Sequence, residues 1–225
     1  MKETVPTTSL AIGDRIRDDI VSGALSFGSR ITLDQLAARY SVGHMPVREA
    51  LRQLQGEGLV VLTPNRGARV RAVDIEFVRN IFDLRIAIEA MLARRAAERI
   101  AARQIAKLEA VQIDFEATAR SRDFGRLLLI NREFHRIISD AAQNPEAASV
   151  LDRHWRLIAA LWNLHGYGED RPAGVISDHR HIIAALATHD ADVASSLAMA
   201  HAAKAKQELI GRMLAKDAVA SSAAA

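Results

Sequence analysis

The feature that most constrains the fold is a long run of helical periodicity in the last two thirds of the chain. From Asp74 to about Lys216 the apolar residues recur at helical spacing, no stretch alternates like a strand, and glycine and proline are few. Breaks in the pattern define six predicted helices: Asp74–Ile100, Ala102–Arg120, Phe124–Ala142, Pro145–His165, Ala173–Thr188 and Ala191–Leu214. We therefore predict an all-α bundle over residues 74–217 and a disordered, low-complexity tail over residues 218–225.

Residues 1–73 have a different pattern, in which short helices precede a hairpin. Three predicted helices end near Gly23, Tyr40 and Gly58. The third opens with Pro46, whose missing N–H costs nothing in the first turn of a helix. Two short β-rich segments, Leu59–Leu62 and Ala68–Val73, then flank a turn. The predicted fold is therefore mainly α, with a winged helix-turn-helix of three helices and a β-hairpin before the helical bundle.

The excess of positive charge lies in this first part of the chain. The net charge is +3, and residues 1–73 hold 10 Lys and Arg against 7 Asp and Glu, whereas residues 74–225 hold 20 against 20. In the third predicted helix Arg48 and Arg52 share a face that is not the apolar one, and the hairpin tip carries Asn65 and Arg66. A basic helix and a basic hairpin tip predict that the domain binds double-stranded DNA.

Particular residues are predicted to contact the DNA. Arg48 is the expected base reader, because arginine suits the acceptor pair of guanine. Phosphate contacts are expected from Arg39, Arg69 and Arg71. The full set of predicted DNA contacts is Arg48, Arg52, His44, Arg66, Asn65, Gly67, Arg39 and Arg69.

Composition excludes several classes of protein. The chain has no cysteine, which excludes disulfides, thiolate metal sites and cysteine nucleophiles. No run approaches the roughly 18 apolar residues that span a bilayer, and the first residues lack the apolar core of a signal peptide. We expect a cytoplasmic protein with no membrane partner.

Some polar residues of the helical region lie on faces that are otherwise apolar. They are Arg85 and Glu89, Asn131 and His135, His179, and His201. Any one of them is best explained as a core residue with a satisfied hydrogen bond, and Arg85 with Glu89 as an intrahelical ion pair. Three histidines on separate apolar faces also suit a divalent metal ion. Spacing alone does not show that these faces converge.

The segments Pro46-Val47-Arg48-Glu49-Ala50-Leu51, Glu57-Gly58-Leu59 and Asn65-Arg66-Gly67-Ala68-Arg69-Val70 resemble the DNA-binding domain of GntR-family bacterial transcription regulators. The resemblance covers most of residues 10–73. It departs at Gly43-His44-Met45, where the family usually has Ser-Arg-Thr. The arginine that usually contacts DNA and the threonine that usually caps the helix are therefore both missing.

The helical region resembles the FCD ligand-binding domain of the FadR branch of that family, in its shorter, six-helix, VanR-like version. Asp83-Leu84-Arg85 with Glu89, the segment 131–135, Asp178-His179-Arg180 and His201 carry this resemblance. It implies that a divalent transition metal, zinc above all, is held by Asn131, His135, His179 and His201. It also implies that a small organic acid is bound by the same four residues and Arg85.

Asn131 stands where many relatives have aspartate, so the implied site is weaker and more cationic. Two alternatives remain open. Either the three imidazoles still hold the metal, or the pocket binds the anion without metal, through Arg85 and the histidines.

The function expected from these features is DNA-binding transcription regulation without enzymatic activity. The expected protein is a repressor that binds a palindromic operator as a homodimer and responds to the organic acid. A metal-dependent hydrolase with an accessory DNA-binding module is one alternative, although the chain has no His-Glu-x-x-His motif and no nucleophile elbow. A constitutive DNA-binding protein with a purely structural helical domain is the other.

Overall fold

The structure, a computed structural model, describes residues 9–63 and 67–223, and within them the side chains of all but residues 217 and 219–223. In chain order the elements are α1 (Ser9–Val21), β1 (Arg30–Ile31), α2 (Leu33–Tyr40), α3 (His44–Gly56), β2 (Val60–Thr63), β3 (Gly67–Val70), α4 (Ile75–Ala97), α5 (Ala102–Ser121), α6 (Phe124–Ala142), α7 (Pro145–His165), α8 (Arg171–Ala187) and α9 (Ala191–Ala223). This order confirms the mainly α fold class, with a winged helix-turn-helix before a helical bundle. None of the helices described combines the length and the apolarity needed to cross a bilayer.

The chain divides into two compact units. The first takes in the residues up to Asp74 together with Arg156–Leu164, and the second takes in Ile75–Trp155 and the residues from His165 onward. Helix α7 therefore contributes residues to both units. The sequence-based division placed all of this helix in the second domain.

Helices α1, α2 and α3 lie in the N-terminal part of the first unit. Helix α1 packs against α3, with Ile12, Ile16 and Ile20 buried. Helix α2 begins with a capping box, since the Thr32 hydroxyl accepts from the Gln35 N–H and the Gln35 amide oxygen accepts from the Thr32 N–H. The start of α2 is thus fixed by local chemistry alone.

Helix α3 begins at His44, two residues before the predicted start at Pro46. The proline then occupies the third helical position, where its missing N–H still has no intrahelical partner to lose. The helix ends at Gly56, and Gly58 follows with φ of +76°. The Leu59 N–H bonds to the Leu54 carbonyl and the Gly58 N–H to the Gln55 carbonyl, which is the Schellman arrangement.

A three-stranded antiparallel sheet of order β1-β3-β2 completes the first unit. Strands β2 and β3 form the predicted hairpin, with Val60 opposite Val70 and Leu62 opposite Ala68. Strand β1 is not among the two β-rich segments predicted from the sequence. It is only two residues long, so it carries too few side chains to show an alternating pattern.

The second unit contains helices α4, α5, α6, α8 and α9 and the first half of α7. Helix α4 packs against α9 and α6, and α5 packs against α6 and α8, around a core that includes Leu92, Leu108, Phe134 and Leu186. Helices α6 and α7 have the predicted bounds. Each follows a capping side chain, since Asp123 accepts from the Arg126 N–H and Asn144 from the Ala147 N–H.

The last helix differs from the prediction of a disordered tail. Helix α9 continues to Ala223, so residues 218–223 are helical, whereas residues 224–225 lie outside the described part. The segment is rich in alanine, which has the highest helix propensity of all residues. The low-complexity sequence of this segment is therefore compatible with a helix.

Candidate functional site

A groove of roughly 750 Å³ runs along α2, α3 and the sheet in the first unit. Four of the predicted DNA contacts line it, namely His44, Arg48, Arg52 and Gly67. Arg48 and Arg52 are exposed and lie one turn apart on α3, opposite the face that buries Val47. The hydrogen bonds and ion pairs described include none for Arg48, whereas Arg52 pairs with Glu49 on the same helix at 2.9 Å. An uncompensated arginine in a groove favours an anionic partner.

Arg30 is a residue of this groove that sequence reasoning missed. It lies on β1, directly opposite Arg69 on β3, and both side chains are exposed. Like charges on directly opposed strand residues are unfavourable unless an anion lies near them. The signal could not be found in the sequence, because residues 30 and 69 become neighbours only when the short strand β1 pairs.

The remaining predicted DNA contacts have other surroundings. Arg39 forms an ion pair with Asp19 at 2.6 Å and does not line the groove. His44 lies 2.9 Å from an oxygen of Asp34. Asn65 and Arg66 lie outside the described residues. Gly43 is the N-cap of α3 and makes no side-chain hydrogen bond, whereas the resemblance placed the missing cap at Met45.

In the second unit, three histidines from three helices come together. His135 on α6, His179 on α8 and His201 on α9 each offer a ring nitrogen within 4.8 Å of the other two. Their ring centroids are 5.0 to 5.6 Å apart. The apolar faces that carry them therefore converge, which spacing along the chain could not establish.

Each histidine has a different polar neighbour. The Nδ1 atom of His179 lies 2.9 Å from the amide oxygen of Gln112, and that of His201 lies 3.2 Å from a carboxylate oxygen of Asp178. The Nδ1 atom of His135 lies 3.7 Å from Glu89. The Nε2 atom of His179 is buried and has no hydrogen-bond partner in the structure. A buried nitrogen lone pair without a donor fits a metal ion.

Burial favours the neutral form of two of the three histidines, His135 and His179. It lowers the pKa of His135 to about 4, although the nearby Glu89 carboxylate opposes the shift, and it lowers the pKa of His179 well below the usual value. Burial alone would raise the pKa of Glu89, but the charge and the hydrogen bond of Arg85 together with the nearby histidines hold that pKa below the ordinary range. The imidazoles of His135 and His179 are therefore in the form that binds metal.

Arg85 is already paired. Its guanidinium donates to Glu89 at 2.5 Å, and both side chains are buried. Arg85 and His135 also line a small cavity of about 60 Å³ together with Leu151 and Trp155. The predicted anion-binding cation thus lies at the cluster, but most of its charge is balanced by Glu89.

Asn131, the fourth predicted ligand, is half-buried on α6 one turn before His135. No hydrogen bond of its side chain is among those described. The structure instead places two carboxylates beside the histidines, Glu89 and Asp178. Helical spacing places Glu89 on an apolar face without assigning it to the site. It does not place Asp178 on the same face as His179, because adjacent helix residues point in different directions.

The fold and both sites define a class: a DNA-binding transcription regulator with a winged helix-turn-helix and a helical domain containing a histidine cluster. Residues 8–70 match the family described as bacterial regulatory proteins, gntR family, and residues 80–204 match the FCD domain. The FCD match alone covers more than half of the 225 residues. The chain therefore belongs to the GntR family, in its FadR-like branch with an FCD domain.

Relatives agree with this assignment. The HTH-type transcriptional repressor RspR of Escherichia coli K12 is 26% identical over 177 residues, which cover 79% of this chain and 78% of RspR. The uncharacterized HTH-type transcriptional regulator YdhC of Bacillus subtilis is 23% identical over 189 residues, or 84% of each chain. The chain is a transcription regulator and not an enzyme.

Solved structures agree on the fold. E. coli McbR/YncC superposes with a TM-score of 0.72 at 20% identity, covering 95% of this chain and 99% of that one. A putative GntR transcriptional regulator from Rhodococcus sp. RHA1 gives a TM-score of 0.69 at 18% identity, covering 90% and 97%.

Proposed function

We propose that this regulator is a repressor that leaves its operator when a small carboxylic acid binds at the histidine cluster, beside a divalent transition metal, with zinc as the first choice. The observation that carries the proposal is the convergence of His135, His179 and His201 with a buried, unpartnered Nε2 atom on His179. An unsatisfied buried acceptor lowers the stability of a fold by about 1–3 kcal/mol. The unpartnered nitrogen therefore does not stabilise the helical domain.

The residues favour the metal-containing version of the site over the metal-free one. Neutral imidazoles attract an anion only weakly, and the pKa directions of His135 and His179 keep both rings neutral near pH 7. The charge of Arg85 is balanced by Glu89. When bound, zinc supplies a Lewis-acid centre with an open position for a carboxylate. Asp178, which also pairs with Lys204, brings to His201 a carboxylate of the kind that Asn131 lacks.

The DNA-binding part of the proposal rests on the groove of the first unit. Arg48 is proposed to read a base, and Arg30 and Arg69 to contact phosphate. A homodimer would place two copies of α3 in successive major grooves, so the operator should be palindromic with half-sites about 10 base pairs apart, centre to centre. RspR, a similar chain, is named a repressor, which supports that direction of control.

The acid must bind the DNA-bound and the DNA-free states of the regulator with different affinities, because otherwise it does not shift the equilibrium between them. A coupling of about 1–3 kcal/mol, or roughly 5–150-fold in operator affinity, is typical. By reciprocity the operator should weaken acid binding by the same factor.

The test has two steps. Carboxylic acids are first screened by thermal shift on zinc-loaded and on chelator-treated protein, and acids that stabilise the zinc-loaded form are then titrated against an operator selected from random DNA. We expect release of DNA by at least one acid, and loss of the response in His179→Gln. His181→Gln is the matched control, because His181 is exposed on the same helix and bonds only to the Ser177 carbonyl.

Operator affinity that stays constant at saturating acid would instead support the constitutive DNA-binding alternative. Equal stabilisation of the chelated and zinc-loaded proteins would support the metal-free pocket.

A further inference from the structure

Gln112, on helix α5, is not a candidate metal ligand, yet it makes the hydrogen bond that orients one. Its side chain is fully buried, and its Oε1 atom lies 2.9 Å from Nδ1 of His179, which is also fully buried. The Phe134 ring stacks on the His179 ring with centroids 3.8 Å apart and an angle of 6° between the planes. The ring of His179 is therefore fixed in its plane by Phe134 and at one edge by Gln112.

The orientation of the Gln112 amide is set by its other neighbour. Its Nε2 atom donates to Glu116 at 3.0 Å, and Glu116 also accepts from Arg180 at 2.7 Å. These hydrogen bonds, that of Gln112 first, hold the pKa of Glu116 below its usual value, so the carboxylate is ionised. An ionised carboxylate can only accept, so the amide NH₂ must face Glu116. The carbonyl oxygen of Gln112 must then face His179.

The same logic determines which nitrogen of His179 carries the proton. A carbonyl oxygen can only accept, so Nδ1 of His179 must be the donor in the bond to Gln112. A neutral imidazole has one N–H, which leaves Nε2 with a free lone pair. This is the buried atom without a partner, and His179 is a member of the cluster.

We propose that Gln112 is a positioning residue, which holds His179 in the Nδ1–H tautomer and so directs the unprotonated Nε2 atom into the histidine cluster. Glu116 acts one step further out, by locking the amide of Gln112. The consequence for metal binding rests on the proposed function, whereas the tautomer itself does not.

Gln112 differs from the partners of the other two histidines. Asp178 and Glu89 are carboxylates and bring negative charge to His201 and His135, whereas the amide of Gln112 fixes a direction without adding charge. Partners that orient a ligating histidine are typically worth 10–100-fold in metal affinity. We expect Gln112 to have an effect in that range.

The first experiment measures the tautomer directly. The protein is labelled with ¹⁵N-histidine, stripped of metal and examined at neutral pH by two-bond ¹H–¹⁵N correlation of the imidazole rings, with His179→Gln to assign the signal. We expect Nδ1–H for His179 in the parent and a mixture of tautomers in Gln112→Met, which keeps the chain length but has no amide. Finding Nε2–H in the parent would overturn the inference.

The second experiment measures zinc affinity by competition with a chromophoric chelator. Gln112→Met should bind zinc about 10–100-fold more weakly. Thr118→Val is the matched control, because Thr118 is buried on the same helix about 9 Å further along its axis. An unchanged affinity in Gln112→Met would contradict the positioning role.

Glu116→Gln is a second variant for the case in which Gln112→Met does not fold, since Glu116 is only half-buried. It removes the obligate acceptor, so the Gln112 amide can turn, and we expect mixed tautomers of His179 and weaker zinc binding. A single Nδ1–H tautomer with unchanged affinity in this variant would show that Glu116 does not lock the amide. An Nδ1–H tautomer in a parent that binds no zinc would leave the positioning role standing and refute the proposed metal site.

Discussion

His135 couples the histidine cluster to the stability of the protein. Burial lowers its pKa to about 4 from an ordinary value of 6.5, so between these two pH values the unfolded chain binds more protons at this residue than the folded one. The stability associated with neutral His135 is thus fully present above about pH 6.5 and is lost as the pH falls towards 4. We expect a loss of up to about 3 kcal/mol in chelator-treated protein.

Urea unfolding of the chelated protein at pH 7 and at pH 4.5 measures this loss. His135→Gln removes the titrating group, so the variant should lose less stability than the parent over the same interval. The same loss in both proteins would show that His135 is not the group responsible.

At the level of single residues, the sequence predicted which side chains are unusual but not which of them meet. The positions of His135, His179 and His201 on apolar faces could be recognised from helical spacing. Their convergence depends on how α6, α8 and α9 pack together. The sequence of one helix shows which of its own faces is apolar but not which helices that face contacts. Gln112 was missed for the same reason, because its partner lies on another helix, 67 residues along the chain.

At the scale of elements, the C-terminus of α3 depends on backbone conformation more than on side-chain contacts. Gly56 and Gly58 both have open space around a would-be Cβ atom, but only Gly58 has a positive φ, of +76°. A residue with a side chain and a left-handed backbone conformation lowers the stability of the fold by about 1–2 kcal/mol. We expect Gly58→Ala to lower the free energy of unfolding by about that amount and to weaken operator binding, as measured by urea unfolding and by fluorescence anisotropy with labelled DNA.

Gly56→Ala is the matched control, because it adds the same methyl group two residues earlier. Alanine has a higher helix propensity than glycine, so this variant should be neutral or more stable by up to about 1 kcal/mol. Equal destabilisation by both substitutions would mean that crowding, and not the left-handed conformation, determines the effect.

Elements with a local chemical signal were predicted closely. Helices α6 and α7 begin where the sequence indicated, directly after the capping residues Asp123 and Asn144. Strand β1 has no such signal, since its two residues are held only by pairing with β3. The start of α3 was displaced by two residues because Pro46 is tolerated throughout the first turn.

At the scale of the whole molecule, the excess positive charge and the histidine cluster lie in different parts of the chain. The excess of Lys and Arg over Asp and Glu lies in residues 1–73, which contain the groove with Arg30, Arg48 and Arg52, whereas residues 74–225 are balanced. All three histidines of the cluster lie in the second unit. A metal ion and a nucleic acid should therefore act first on different parts of the chain.

This separation predicts how zinc changes thermal unfolding. Zinc at about 100 times its dissociation constant stabilises the unit that binds it by about 2.7 kcal/mol, which corresponds to a rise of roughly 5–10 °C for a unit of this size. In scanning calorimetry we expect zinc to raise the transition of the second unit only. His201→Ala should abolish the rise, because His201 is one of the three histidines of the proposed metal site.

Gly58→Ala provides the complementary perturbation, since Gly58 lies in the first unit. It should lower the transition temperature of the first unit and leave the zinc-dependent transition of the second unit unchanged. A single transition that responds equally to zinc and to Gly58→Ala would show that the two units unfold together. In that case zinc bound at the histidines would stabilise the DNA-binding helices as well, and chelation alone would be expected to weaken operator binding.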